Sequence, residues 1–222
     1  LGKDAEWREI VKAIEECRAC PLHRFRRNPV PGEGSLNAQV LFLGEAPGRR
    51  EDETGRPFVG AAGKLLDELL QEIGLRRGDV FITNVVKCRP PNNRDPKPEE
   101  VEACSIHTLR ILRLVSPAVI VTLGNHSGRF VYEELMGRSW RGVTRERGRV
   151  HDLLLEGRKV KVLSTYHPAA ALYNPKLRDR LKDDFSTLRK LLDELSPSRQ
   201  NINGKRVTIL DYIRGSARNE ER

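Results

Sequence analysis

Apolar residues recur along this chain in two rhythms, short nearly unbroken runs and helix-like periods, and the two alternate. VLFLGE at 40–45, VFITNVVK at 80–87, AVIVTLG at 118–124 and VKVLSTYHP at 160–168 are the runs. Stretches of this length with little polar alternation predict strands buried on both faces of a sheet, as in parallel sheets. Between them the spacing predicts helices over 7–16, 60–73, 98–115 and 177–195, with a shorter one at 127–135. The first should stop just before C-R-A-C-P, where Pro21 cannot continue it, and C-R-P-P-N-N-R-D-P-K-P holds too much proline for helix or strand. Such alternation predicts a three-layer α/β/α sandwich around a central, mostly parallel sheet, as one domain over 1–195. Residues 196–222 are polar apart from VTILDYI and read as a basic tail. Ligands of such sheets bind beyond the carboxyl ends of the strands, where GEAPG, the Asn84 region, the loop from Gly124 and HPA would converge.

Charge narrows the class of partner. In 222 residues, 40 Lys and Arg face 31 Asp and Glu, a formal charge of +9, so the surface should attract a polyanion. Nucleic acid leads and an anionic membrane trails. The arginines at 138, 141, 145, 147 and 149 include only one acid between them and read as a phosphate-contacting loop or a solvated one. No run approaches the roughly 20 apolar residues of a membrane span. The N-terminal stretch is charged and amphipathic without the apolar core of a secretory signal, so a cytoplasmic protein is expected. A reducing compartment argues against disulfides as the purpose of four cysteines.

Those cysteines are Cys17 and Cys20, a C-x-x-C pair, with Cys88 after a strand and Cys104 in the next helix. A pair spaced by two can grip a metal centre from a single turn, and two remote thiolates complete a four-sulfur set suited to zinc or an iron–sulfur cluster. Either would tie the N-terminal helix to the main domain. Gly44-Glu45-Ala46-Pro47-Gly48 follows a strand but matches neither a dinucleotide-binding nor a Walker loop, which removes the usual warrant for nicotinamide or nucleoside triphosphate. Phe58, within Gly55-Arg56-Pro57-Phe58-Val59-Gly60, offers a ring face to a planar base or a side chain to the core. Asn84 lies in an otherwise apolar run, where its amide must find partners, and a donor beside an acceptor matches one edge of a pyrimidine. His167, fixed ahead of Pro168 at a strand end, is a candidate general acid or electrophile, or else a turn cap.

GEAPG, GRPFVG, TNVVKCRP and YHPA, together with the C-x2-C and C-x15-C spacings, resemble in joint order the family 4, thermophile-type uracil-DNA glycosylases over about residues 10–192. The resemblance implies the uracil-DNA glycosylase-like fold, a 4Fe–4S cluster on Cys17, Cys20, Cys88 and Cys104, and monofunctional hydrolysis of deoxyuridine in single- and double-stranded DNA. It further implies that Phe58 stacks on flipped uracil, that Asn84 reads its polar edge, and that His167 meets its O2. Glu51 would stand near C5, where a thymine methyl would collide. Gly44, Glu45 and Ala46 form the first motif, with Glu45 a catalytic candidate. The better-known glycosylases carry G-Q-D-P-Y there, and with Ala46 in place of its aspartate no aspartate can activate water at this position. Leu172 is the wedge expected to fill the space a flipped base leaves, with Arg141 and Arg145 on phosphates. Residues 206–213 resemble a degenerate sliding-clamp-binding peptide, Arg206 standing where glutamine is usual. A monomer is expected. The competing reading is a zinc-binding nucleic-acid module without glycosylase activity.

Overall fold

The computed structural model describes residues 2–195, 199–200 and 206–207. Six strands, β1 (Glu33–Gly34), β2 (Val40–Gly44), β3 (Phe81–Asn84), β4 (Val119–Leu123), β5 (Val150–Leu155) and β6 (Arg158–Thr165), form one sheet in the order β1-β3-β2-β4-β6-β5. The four inner strands run parallel, while β1 pairs antiparallel with β3 and β5 antiparallel with β6. The sheet is mostly parallel, as expected, with an antiparallel strand at each edge.

Eight α-helices cover it: α1 (Lys3–Glu15), α2 (Arg49–Thr54), α3 (Ala61–Glu72), α4 (Pro98–Val115), α5 (Asn125–Arg129), α6 (Val143–Glu146), α7 (Pro168–Ala171) and α8 (Pro175–Leu195). Successive strand residues point to opposite faces, so apolar runs are needed wherever both faces are covered. Accordingly Val40 and Phe42 pack with Leu66, Leu69, Phe185 and Leu188 of α3 and α8, whereas Leu41 and Leu43 pack with Ile10, Ile14 and Ile111 of α1 and α4. Three layers result, as the alternation predicts. Among the described residues, no helix is long and apolar enough to cross a membrane.

Three departures from the expected elements have physical reasons. The run at 80–87 leaves the ladder after Asn84, because Val85 and Val86 donate instead to the carbonyls of Gly44 and Glu45. Their apolar character reflects burial in a packed loop rather than strand pairing. The end of the arginine-rich segment leads into β5, an edge strand that turns back into β6 through Glu156 and Gly157, both at positive φ. Two such residues make the hairpin turn whose twist suits flanking strands. The helix expected at 127–135 starts at Asn125 and widens into a π-turn over Phe130–Leu135. Arg206 and Val207 pair with Arg199 and Gln200, and the remainder of the clamp-like peptide lies outside the described residues, as does most of the basic tail.

Candidate active site

The register that sets β2 beside β3 aligns Gly44 with Asn84 at the carboxyl edge of the sheet, and β4 and β6 end next to them. A cavity of about 470 Å³ opens there, lined by Glu45, Ala46, Glu51, Phe58, Asn84 and His167 among others. Six residues proposed from sequence as far apart as 45 and 167 thus meet in one place. Gly44 is needed at its floor: a Cβ there would lie 2.2 Å from Asn84 Oδ1 and 2.8 Å from the Phe58 ring.

Asn84 is buried, and its Oδ1 has no hydrogen-bond partner among the described residues. Leaving an amide oxygen dry and unpaired costs about 1–3 kcal/mol, so the site is prepared for a donor. Phe58 is held with φ of 51°, a left-handed conformation unusual for a phenylalanine. Its neighbours impose that conformation. Glu51 Oε1 accepts the N–H groups of Val59 and Gly60, each at 2.9 Å, while Arg77 donates to the carbonyls of Pro57 and Phe58 and pairs with Glu33 and Asp67. The Phe58 ring lies alongside the imidazole of His167, with centroids 5.5 Å apart. That separation is too small for a third ring between them.

His167 follows β6 and caps α7, where Pro168 occupies the first helical turn. Its Nδ1 accepts the N–H of Ala169 at 3.1 Å, which assigns the proton of the neutral ring to Nε2. Burial pushes its pKa down to about 4, with Glu51 opposing, so at neutral pH the ring is an uncharged donor. β6 is itself anchored from α8: Thr165 donates to Asp184 Oδ2 at 2.6 Å, and Arg147 pairs with both oxygens of that buried carboxylate.

Glu45 stands at the cavity wall. Burial raises its carboxyl pKa, and the nearby His126 pulls the other way. His126 Nε2 is 3.7 Å from Glu45 Oε2 and 3.3 Å from Asp95 Oδ2. Among the described residues these are the one group of three or more His, Cys, Asp or Glu whose ligand atoms lie within 4.8 Å of one another.

The four cysteines line a second cavity between the end of α1, the loop after β3 and the inner face of α4. Arg26 donates to Cys88 Sγ at 3.2 Å and the Lys87 N–H to Cys104 Sγ at 3.3 Å. Burial raises the thiols of Cys20 and Cys88 and lifts Cys104 to about 11, with Arg26 and Lys87 opposing. The buried Lys87 ammonium donates to Thr83, Thr108 and the carbonyl of Asn84, which puts one side chain between the two cavities.

The proposed DNA contacts separate. Leu172, just past α7, is 38% exposed and its neighbour Tyr173 93%, so both are free to meet a partner. Arg141 and Arg145 are exposed, but Arg147 is committed to Asp184 and Arg138 faces His151 at 3.4 Å. The arginine run is therefore not a uniform phosphate surface. Sequence reasoning passed over Arg77, Lys87, His126 and Asp184. Only Asp184 left a signal, as an acid on the buried stripe of α8 beside Leu181, Phe185 and Leu188. Arg77 and His126 find partners distant in sequence, while Lys87 turns back onto Thr83 and Asn84 of its own segment and reaches Thr108 beyond it.

The family model described as Uracil DNA glycosylase superfamily matches residues 31–195. The chain is 50% identical over 205 residues to a type-4 uracil-DNA glycosylase of Archaeoglobus fulgidus, covering 92% of this chain and 98% of that one. It is 48% identical to the type-4 enzyme of Sulfurisphaera tokodaii over 93% of this chain and 90% of that one. A type-5 uracil-DNA glycosylase of Thermus thermophilus is 40% identical over 53% of this chain and 59% of its own length.

Proposed function

The chain belongs to the uracil DNA glycosylase superfamily, and from that membership we infer how this cavity excises a base. It is a uracil-DNA glycosylase, an N-glycosylase acting on DNA. The observation that carries the site assignment is the unpaired Asn84 Oδ1, an acceptor where the N3–H of uracil would donate. Cytosine presents a lone pair at N3 and would meet that oxygen with repulsion. Phe58 and Glu51 line the same cavity, Phe58 to support the flipped ring and Glu51 to meet the methyl group that thymine would bring in. The extra-helical base costs a few kcal/mol of unstacking, least in single strands and mismatches, so both single- and double-stranded DNA are substrates.

As the C1′–N1 bond breaks, its electron pair leaves with uracil and the sugar acquires oxocarbenium character. The His167 Nε2–H, neutral and fixed by its Nδ1 contact, donates to O2 as negative charge develops there. With the base inside, the deoxyribose faces the mouth, where Glu45 can stabilise positive charge and take a proton from attacking water. No lysine lines the cavity among the described residues, and the Lys87 ammonium is occupied elsewhere, which supports hydrolysis without a Schiff base. Leu172, Arg141 and Arg145 are the proposed DNA contacts. The enzyme is further taken to be monomeric and cytoplasmic.

Four cysteine sulfurs around one cavity fit a metal–sulfur centre, and the likeness of the cysteine pattern to the family 4 enzymes favours a cluster over a single zinc. Cys17, Cys20, Cys88 and Cys104 would hold a 4Fe–4S cluster, and Arg26 and the Lys87 N–H would offset thiolate charge. When bound, it supplies cross-links between α1, α4 and the loop after β3, and hydrolysis needs no electrons from it.

A single-uracil oligonucleotide tests the function. Free uracil with an alkali-labile but otherwise intact strand is expected, from brown protein absorbing near ~400 nm. Strand cleavage without alkali would contradict hydrolysis, and colourless, zinc-loaded protein would contradict the cluster.

A further inference from the structure

The wall of the cavity carries a feature that base recognition does not use. His126, on α5, reaches toward Glu45 from one side, and Asp95, in the proline-rich loop after β3, lies on the other. Three chain segments meet only there, so the arrangement is tertiary. Glu45 is partly desolvated, which favours its protonated form, and an approaching DNA backbone would add further negative potential. A carboxylate that must stay ionised in that setting needs a cation nearby. Arg94, which also lines the cavity, is bidentate to Glu100 and is not free for the task. Glu51 and Asp95 are carboxylates and His167 is neutral at working pH, so among the described residues facing Glu45 the basic side chain within 4 Å is that of His126.

We propose that His126, held by Asp95, is a positioning residue that keeps Glu45 ionised and aimed at the sugar of the flipped nucleotide. The proposal rests on the reading of Glu45 as the group at the sugar. In the step it serves, a water O–H proton passes to Glu45 while the water oxygen bonds C1′, and the departing uracil keeps the electron pair of the broken bond. His126 touches neither water nor sugar. Its electrostatic contact with Glu45, at 3.7 Å, sets how much of Glu45 is available as the base. Asp95 is mostly exposed and can orient the imidazole without closing the cavity mouth.

The test is single-turnover excision across pH 5–9 with the full-length, cluster-loaded protein and a single-uracil strand, comparing parent, His126→Gln, His126→Lys and Glu45→Gln. Both positions are at the surface of the site, and iron content checks that each variant is intact. His126→Gln should lower the rate about tenfold near pH 6, with the gap narrowing as pH rises, because the acid limb moves to higher pH. His126→Lys, which restores a cation, should return that limb toward its parental position. A parental rate and limb in His126→Gln would overturn the proposal. So would a parent whose excision is abolished by chelation of divalent cations and restored by Mg²⁺ or Mn²⁺, since His126, Asp95 and Glu45 would then be cation ligands. If Glu45→Gln excises at the parental rate, the role of Glu45 itself has failed. If the parent releases no uracil, the glycosylase reading has.

Discussion

His167 and Asn84 show how little chemistry a residue type carries until its surroundings are fixed. A histidine at a strand end can be acid, base or cap. Here it caps α7 through Nδ1 and for that reason offers only Nε2–H to the cavity. His167→Ala should keep fold and much of the DNA affinity yet lose about 10²–10³ in single-turnover rate, the usual cost of one preorganised donor to a developing oxyanion. The parental profile should show no limb from His167 near pH 6.5, because its folded pKa is about 4. Stability carries the complementary sign. Between the unfolded value near 6.5 and the folded value near 4, the unfolded chain binds the extra proton, so stability is full above this window and falls as pH drops through it. Thermal unfolding of His167→Ala should depend less steeply on pH between 6.5 and 4 than that of the parent. Parallel curves would mean that the ring is not buried in its neutral form.

The elements were legible in proportion to how locally their burial is decided. α4 spans Pro98–Val115, as its period and its proline start predict, and β2 and β4 follow their apolar runs closely. β5 was hidden because an edge strand is only half buried, with Val150 and Leu154 exposed, and because the preceding arginines read as loop. The cavity residues 45, 51, 58, 84 and 167 were legible from motif and resemblance, since each sits at a strand end or in a short glycine-bounded segment, as Glu51 does in α2 between Gly48 and Gly55. What holds them was not, because Arg77 and Asp184 act across long sequence separations. α8 gives the clearest test of such an anchor. Asp184→Ala removes the acceptor of Thr165 and leaves the Arg147 guanidinium without its buried partner, which should cost about 3–5 kcal/mol. The midpoint of chemical unfolding would report it, and excision should weaken as well, because Thr165 lies two residues before His167. A change below about 1 kcal/mol would show that β6 is held by packing alone.

At the scale of the whole molecule, a basic surface and a small neutral-to-acidic cavity divide the work. The charge of +9 attracts DNA without reading it, while in the proposed site Asn84 and Glu51 discriminate between bases and the neutral His167 ring assists departure of the base. Binding and chemistry should therefore separate, and Asn84, which in the proposed site meets the base and no phosphate, is where the separation should be sharpest. The measurement is single-turnover release of free uracil from a one-uracil strand, with enzyme in excess, alongside DNA affinity at fixed salt, for parent and Asn84→Ala with equal iron content. The account predicts affinity within a few-fold of the parent and a rate lower by about 10²-fold, as expected for loss of a base-edge contact with phosphate contacts intact. A folded Asn84→Ala protein that releases uracil at the parental rate would contradict it.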